Sequence, residues 1–414
     1  MGKEEKQSSQ PVGDFNYEAF REQTIARMLS GDKELTGKDG LLAPLLKDLL
    51  DAALSGEMQA HVEENRPNRR NGSKGKSVKT AHGPVSIEMP RDRDGTFEPK
   101  LIAKRQTTLG EGLDNRILSL YGKGLSYEDI QGHLEDLYGL DISTGQLSAI
   151  TDKILPVVEQ WRSRPLEAVY AFVWLDAVHF KVRQDGKVVS KAAYNVLAVD
   201  LQGRKDLLGI YVGDAESARF WLSVLTDLQS RGVKDLLICS IDNLTGFGDA
   251  IETVFPQADV QLCLVHQVRT SMRYVVSKDQ KAVAADLRPI YQSANLSGAE
   301  QKLADFEEKW GKKYPLVVES WKRNWLRLTR FFEYPAAIRK VVYTTNTVES
   351  FHKQIRCVTK SKGAFSSETA LIKLLYLTTQ RIMEKWKMPV QNWAATLQQL
   401  TIVFGERVRS HTRI

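Results

Sequence analysis

From Val169 onward the chain changes character. VYAFVWLD, KVVSKAAYNVLAVD and KDLLGIYVG are nearly unbroken apolar runs bounded by turn formers, the signature of buried strands. A helix follows over ESARFWLSVLTDLQSRG, with Phe220, Trp221, Val224, Leu225 and Leu228 on one face. DLLICSID then reads as a fourth strand, TGFGDAIETVF as a helix and VQLCLVH as a fifth strand. Three strands, helix, strand, helix, strand is an α/β order in which the first and fourth strands can lie side by side and parallel. Their C-terminal ends, Asp176 and Asp242, then meet at one edge of the sheet.

The N-terminal half is patterned differently. Residues 1–14 are polar and expected to be disordered. Helical spacing follows over Tyr17–Leu29 and Leu41–Val62, with Leu42, Leu45, Leu49 and Ala53 sharing a face. Between Arg66 and Arg105 helix breakers and the alternating VSIEMP predict a basic hairpin or arm. In residues 124–154 Ser126 caps a helix with Tyr127, Ile130, Leu134 and Leu137 on one face, and Gly139 ends it. Ser143 and Gln146 form a capping box for a second helix bearing Leu147, Ile150 and Ile154. That pair suits a helix-turn-helix, and equally a plain helical hairpin. After His266 about seventy residues read as helix only. Their Trp310, Trp321 and Trp325 fit a core stripe better than a platform for an unpaired base.

Charge sharpens this outline. The net charge is +7 with a pI near 9.0, and Arg66–Arg105 alone holds eleven Lys or Arg against four Asp or Glu, an excess equal to that of the whole chain. Focused positive charge beside Asn71, Gly72, Ser73 and Gly75 points to a polyanion, with Arg69, Arg70, Lys74 and Lys76 as phosphate contacts. The second helix of the helix-turn-helix would offer Thr144, Gln146 and Lys153 to a groove. Three scattered cysteines exclude a disulfide framework. With no signal peptide and no long apolar run, a cytoplasmic protein with no membrane partner is expected.

Three acidic residues carry the candidate chemistry. Asp176 and Asp242 end apolar strands, and Glu349 sits in TTNTVESFHKQIR, which opens a basic helix. Each has a plain explanation, as strand-end turn former or, for Glu349, as partner of Asn346 in a capping box. Together they suit hard cations that polarise the attacking and leaving oxygens of a phosphodiester. Val348, Phe351, Ile355 and Val358 would face the core, leaving Glu349 among His352, Lys353 and Arg356 on the solvent face, with Lys353 and Arg356 as DNA contacts. Cys263 and His266 lack two further ligands for zinc. Cys263 is expected to pack in its strand, a structural residue, and His266 to reach the site as a phosphate or leaving-group contact.

The segments ESARFW, CSIDNLTGF, QLCLVHQVR, YTTNTVESFHKQIR and TKSKGAFSSETALIKLLYL resemble the mutator-type transposases of bacterial insertion sequences, over roughly Ala52 to the C-terminus. The resemblance implies an α/β, ribonuclease H-like catalytic domain with an all-helical insertion, preceded by helical and helix-turn-helix DNA-binding regions. It implies a DDE triad of Asp176, Asp242 and Glu349 holding two Mg2+ ions, with Mn2+ as a substitute, and Cys263 and His266 as the family's Cys-x-x-His element. Asn243 stands where the family commonly has Gly. The expected partners are double-stranded DNA, both terminal inverted repeats and target, and a second copy of the chain, on the bacterial nucleoid. The expected layout is a tail (1–14), a helical region (15–65), a basic arm (66–110), a helix-turn-helix (111–165), a catalytic domain (166–266 and 336–400) and an insertion (267–335). A non-catalytic repressor derived from a transposase, or a structure-specific nuclease of the same fold, are the alternatives.

Overall fold

The computed structural model describes residues 17–30, 35–37, 40–109, 111–214, 217–343 and 346–412, so the expected N-terminal tail lies outside it. The chain divides into two compact units, Met1–Lys153 and Ile154–Ile414. The first contains α1 (Tyr17–Leu29), α2 (Ala43–Glu64), β1 (Arg70–Thr80), β2 (Gly83–Asp92), α3 (Glu111–Gly122), α4 (Tyr127–Tyr138) and α5 (Thr144–Asp152).

The basic segment is an antiparallel hairpin of β1 and β2. Val85, Ile87 and Met89 alternate inward along β2 and pack with Leu50 and Leu54 of α2, while Ser86 and Glu88 face outward. This contact corrects the expected face of α2. Leu49 and Ala53 are exposed, because the buried stripe is Leu50, Leu54 and Met58, one position on, of which Leu50 and Leu54 meet the hairpin. Both expected caps are formed: Ser126 with Asp129, and Ser143 with Gln146, close reciprocal capping boxes, and Gly139 ends α4 in the left-handed conformation (φ 59°) that glycine adopts without a Cβ penalty. Ile130, Leu134, Leu147 and Ile150 are buried, whereas Leu137 is exposed.

The second unit begins with α6 (Leu155–Arg162), which packs on β5 and α16. Its sheet contains β3 (Val169–Gln184), β4 (Lys187–Asp200), β5 (Lys205–Gly213), β6 (Asp235–Ile241) and β7 (Asp259–Leu262) in the order β5-β4-β3-β6-β7. The unit is mixed α/β: β3 pairs antiparallel with β4 and parallel with β6, and β6 parallel with β7. Both faces are covered, which is why these strands read as solid apolar runs. On one side α7 (Ala218–Ser230), capped by Ser217, buries Trp221, Val224, Leu225 and Leu228, and Trp221 stacks on Phe247 of α8 (Phe247–Val254) at 4.4 Å. One strand is longer than expected. β3 continues eight residues past Asp176, because Val178, Phe180 and Val182 stay buried while it pairs on with β4.

After β7 come α9 (Leu264–Met272), α10 (Ser277–Gln292), α11 (Leu296–Trp310), α12 (Pro315–Arg323), α13 (Trp325–Thr329) and a 3-10 turn over Arg330–Glu333. α14 (Ala336–Tyr343), α15 (Asn346–Thr359), α16 (Glu368–Met383), α17 (Trp393–Phe404) and α18 (Glu406–Arg409) complete the chain. The helical segment shares its core with the sheet, through residues such as Val283, Leu287, Phe306 and Trp321. Its tryptophans are structural. Trp321 is buried and donates its indole N–H to Ser271 Oγ at 3.0 Å, Trp310 donates to Asp286 at 2.8 Å, and Trp325 packs against the same core. The expected continuous stripe is interrupted at Asn324, which ends α12. Buried amides tie the segment to the sheet edge: Gln261 Nε2 donates to Leu328 O at 3.0 Å and its Oε1 accepts from Phe331 N at 2.9 Å. Gln267 of α9 donates to Ser320 at 3.0 Å and accepts from Asn324 at 3.2 Å. Among the described residues no helix is long and apolar enough to cross a membrane.

Two outcomes follow from this packing. Trp321→Ala should lower the unfolding free energy by about 3–5 kcal/mol, the cost of emptying a large core site; a loss below about 1 kcal/mol in denaturant titration would contradict its placement. Asp92, buried at the hairpin's end, is pushed by burial toward the neutral form, yet hydrogen bonds from Asn68, Thr96 and Phe97 hold its carboxyl well below the usual range. Its contribution is therefore present above pH ~4 and lost as pH falls through the depressed value. Amide exchange of the hairpin should accelerate on acidification below pH ~4 in the native chain and less so in Asp92→Asn; an identical acid response in both would count against it.

Candidate active site

The parallel pairings of three adjacent strands stop at the same level. The β3–β6 register ends at Leu175 opposite Ile241, and the β6–β7 register at Ile241 opposite Leu262. The next residues are Asp176, Asp242 and Cys263, and Cys263 N donates to Ile241 O at 2.8 Å. With neighbouring strands roughly 4.8 Å apart, backbone pairing alone puts the first two carboxylates side by side. Asp176 is buried within the continuing β3, and its Oδ1 accepts from Ala177 N at 2.7 Å. It is therefore the end of the parallel pairing, not of the strand.

Cys263 and His266 differ from expectation. β7 ends at Leu262, Cys263 is the N-cap of α9, and His266 lies in the first turn of that helix. The turn folds the imidazole back over the strand ends, where His266 Nδ1 pairs with Asp242 Oδ1. Asp176, Asp242 and His266 each present a ligand atom within 4.8 Å of the other two. Burial favours the neutral imidazole, but hydrogen bonds to Asp242 and Cys263 outweigh it and raise its pKa to about 11.

Helix α15 closes the other side of a cleft of about 670 Å³ lined by Asp176, Asp242, His266, Arg269, Glu349 and His352. Val348, Phe351 and Ile355 anchor it, and Glu349 is exposed to the cleft. Its carboxylate is not among the atoms grouped within 4.8 Å, so the described cluster is two carboxylates and a histidine. The side chain of Asn346, expected to cap with Glu349, lies outside the described residues. His352 is not on the solvent face. It is buried with Nδ1 3.5 Å from Asp176 Oδ2, and its pKa is pushed down to about 4, first by burial and then by Arg356 and His266. One histidine is thus a cation beside Asp242, the other neutral beside Asp176. Asn243 has no left-handed backbone, so the turn after Asp242 does not call for glycine.

Elsewhere the candidate residues are divided. Arg69, Lys74, Thr144, Lys353 and Arg356 are exposed, and Arg356 lines the cleft. Arg70 donates to Ser55 O at 2.8 Å. Lys76 donates to Ala103 O and Lys104 O at 2.9 and 3.1 Å, and burial lowers its pKa. Gln146 is committed to its capping box, and Lys153 to Asp114 at 2.5 Å. Sequence reasoning missed the placement of His352 and Arg269 in the cleft and of Arg273 in the groove that continues it. The spacing of His266, Arg269 and Arg273 along α9, opposite Gln267 and Ser271, was the available signal.

Comparison with known proteins gives a consistent result. The family model described as "Transposase, Mutator family" matches residues 19–389. The chain is 42% identical over 397 residues to the probable transposase for insertion sequence element ISRM3-like of Sinorhizobium fredii, covering 94% of this chain and 99% of that protein. It is 41% identical, with the same coverage, to the transposase for ISRM3 of Rhizobium meliloti. A probable insertion-sequence transposase of Corynebacterium diphtheriae is 40% identical over 72% of this chain and 87% of its own length.

Two carboxylates this close repel one another in the metal-free protein. Asp176→Asn should therefore raise stability by about 1 kcal/mol, at the expense of whatever the pair does. Melting in the presence of a chelator checks this, and a lowered midpoint would show that the crowding is already compensated.

Proposed function

The chain belongs to the Mutator family of transposases, and from that premise we propose that the cleft cuts the ends of an insertion sequence and joins them to target DNA. The observation that carries this reading is the pairing of β3 with β6, which sets Asp176 beside Asp242 in a cleft that Glu349 also lines. The sheet order β5-β4-β3-β6-β7, with helices on both faces, supports a ribonuclease H-like catalytic fold interrupted by an all-helical insertion.

The donor set fits hard divalent cations, with carboxylate oxygens of Asp176 and Asp242 within 4.8 Å and Glu349 across the cleft. Two bound Mg2+ ions would polarise the attacking and leaving oxygens of an in-line displacement. Asp176 is held in orientation by the Ala177 amide and the nearby His352. His266 carries a proton beside Asp242 and is placed to meet a phosphate oxygen or the departing 3′-oxygen. In the first step water attacks the phosphorus at the element's end and the bond to the 3′-oxygen breaks. In the second that 3′-hydroxyl attacks a target phosphodiester and displaces another 3′-oxygen. Paired ends require paired sites, so the working assembly is at least a homodimer. The basic hairpin and the α4–α5 pair, with Arg69, Lys74 and Thr144 exposed, bind the inverted repeats.

Asp242→Asn should abolish cleavage and strand transfer, at least a hundredfold loss, while binding of an inverted-repeat duplex is retained. Strand transfer persisting in that variant would sink the reading. Cleavage of a duplex without joining of a pre-cleaved end by the native protein would instead mark a nuclease.

A further inference from the structure

The cleft does not stop at the carboxylates. It continues into a groove lined by Asn243 and His179 on the strand side, by Arg269 and Thr270 of α9 and its C-cap Arg273, and by Arg356 of α15. Among the described residues its acidic lining is Asp176 and Asp242, at the inner end. Arg269, Arg273 and Arg356 are exposed, and none of the three forms an ion pair among the described residues.

This contrasts with the neighbouring helical segment, whose composition looks equally basic. There Lys309 pairs with Asp286 at 2.6 Å, Lys322 with Glu307 at 2.6 Å, and Arg330 with Asp259 at 2.9 Å. Those cations are neutralised within the fold, whereas the three groove arginines stand together beside the carboxylates with no carboxylate partner of their own among the described residues. The groove arginines are also rigidly mounted. Arg269 and Arg273 are four residues apart and share the face of α9 that carries His266. The opposite face carries Gln267 and Ser271, buried and hydrogen-bonded to Ser320 and Trp321. Guanidinium groups suit phosphate because they offer paired donors in a fixed fork.

We infer that Arg269 and Arg273, with Arg356 lining the same groove, grip successive phosphates of the strand whose bond is cut, leading that strand out of the carboxylate site. This rests on the reading of the cleft as the site of strand cleavage. The contacts are to the backbone and carry no sequence preference. The helical segment gains a function by the same step: its polar ties to α9 hold the arginine pair in line with the strand ends.

The test uses the full-length protein, a duplex carrying the inverted repeat, and chelator in place of metal. For Arg269→Gln with Arg273→Gln, the slope of log affinity against log salt should flatten by about two, since each lost phosphate contact removes about one. The loss should be the same for an unrelated duplex. With Mg2+ present, end cleavage and joining should both fall at least tenfold, while Lys302→Gln, which removes a cation already paired with Asp305, leaves everything unchanged. Replacing both arginines by Lys keeps the charge and should restore the slope; failure to restore it with an unchanged melting point overturns the proposal. An unchanged slope in the Gln variant also overturns it, as does loss of joining with cleavage intact, which would assign the groove to target DNA. Because the binding measurement needs neither metal nor Asp242, active Asp242→Asn protein would defeat the cleavage reading and leave the slope result standing.

Discussion

The arrangement of the second unit depends on the backbone hydrogen bonds that hold β3 and β6 in parallel register. That register ends at Leu175 and Ile241, and the residue after each of them is one of the two neighbouring aspartates. No flexible side chain has to search for its partner, because two carboxylates are delivered by ladders whose inner residues are buried and apolar on both faces. The cost is electrostatic. Water is largely excluded from Asp176, so its charge is felt strongly by its neighbours, and the metal-free fold offsets part of this with an imidazolium on Asp242. The second imidazole is kept neutral by burial, by the Arg356 guanidinium and by that same imidazolium, so the two histidines of one cleft hold different charge.

Around this fixed pair the helices do different work. α9 is clamped from behind through Gln267 and Ser271, and β7 is tied by Gln261 to the turn that follows α13. Buried amides with every contact satisfied make rigid, specific joints, since breaking one leaves an orphaned polar group in the core. The helical segment therefore acts as a buttress behind the sheet edge. Several of its own basic residues are held in ion pairs, while Arg269, Arg273 and Arg356 stand where the cleft opens.

Much of this was legible in the sequence. The apolar runs over Val169–Asp176 and Asp235–Asp242 marked β3 and β6, and the order of elements placed them as neighbours. The capping boxes at Ser126 and Ser143 were readable because a cap is a local event, decided within four residues. The failures share one cause, tertiary packing that local patterns do not encode. Leu49 and Leu50 are equally apolar, and only the hairpin decides which of them α2 buries. β3 ran past Asp176 because its partner β4 was long enough to carry it. His352 looked like one more surface cation until α15 was set against β3. Lys76 and Lys153 read as free charges because their partners, the carbonyls after Leu101 and the carboxylate of Asp114, are distant in sequence.

The position of Glu349 can be understood in the same terms. Asp176 and Asp242 are carried on strands whose separation is set by hydrogen bonds, so a short side chain reaches the site and a longer one would crowd it. Glu349 is carried on a helix, and a helix packed on a sheet stands farther off, with side chains filling the gap. A residue that is to approach from there needs the extra methylene that glutamate has and aspartate lacks. His352, one turn on, fills that gap and sits against Asp176, so α15 is registered to β3 by a buried contact while the carboxylate ahead of it stands exposed at the cleft wall. On the proposed reading, two ligands are preorganised by the sheet and the third is supplied by side-chain reach. Cation binding would then draw Glu349 inward without moving the helix that carries it.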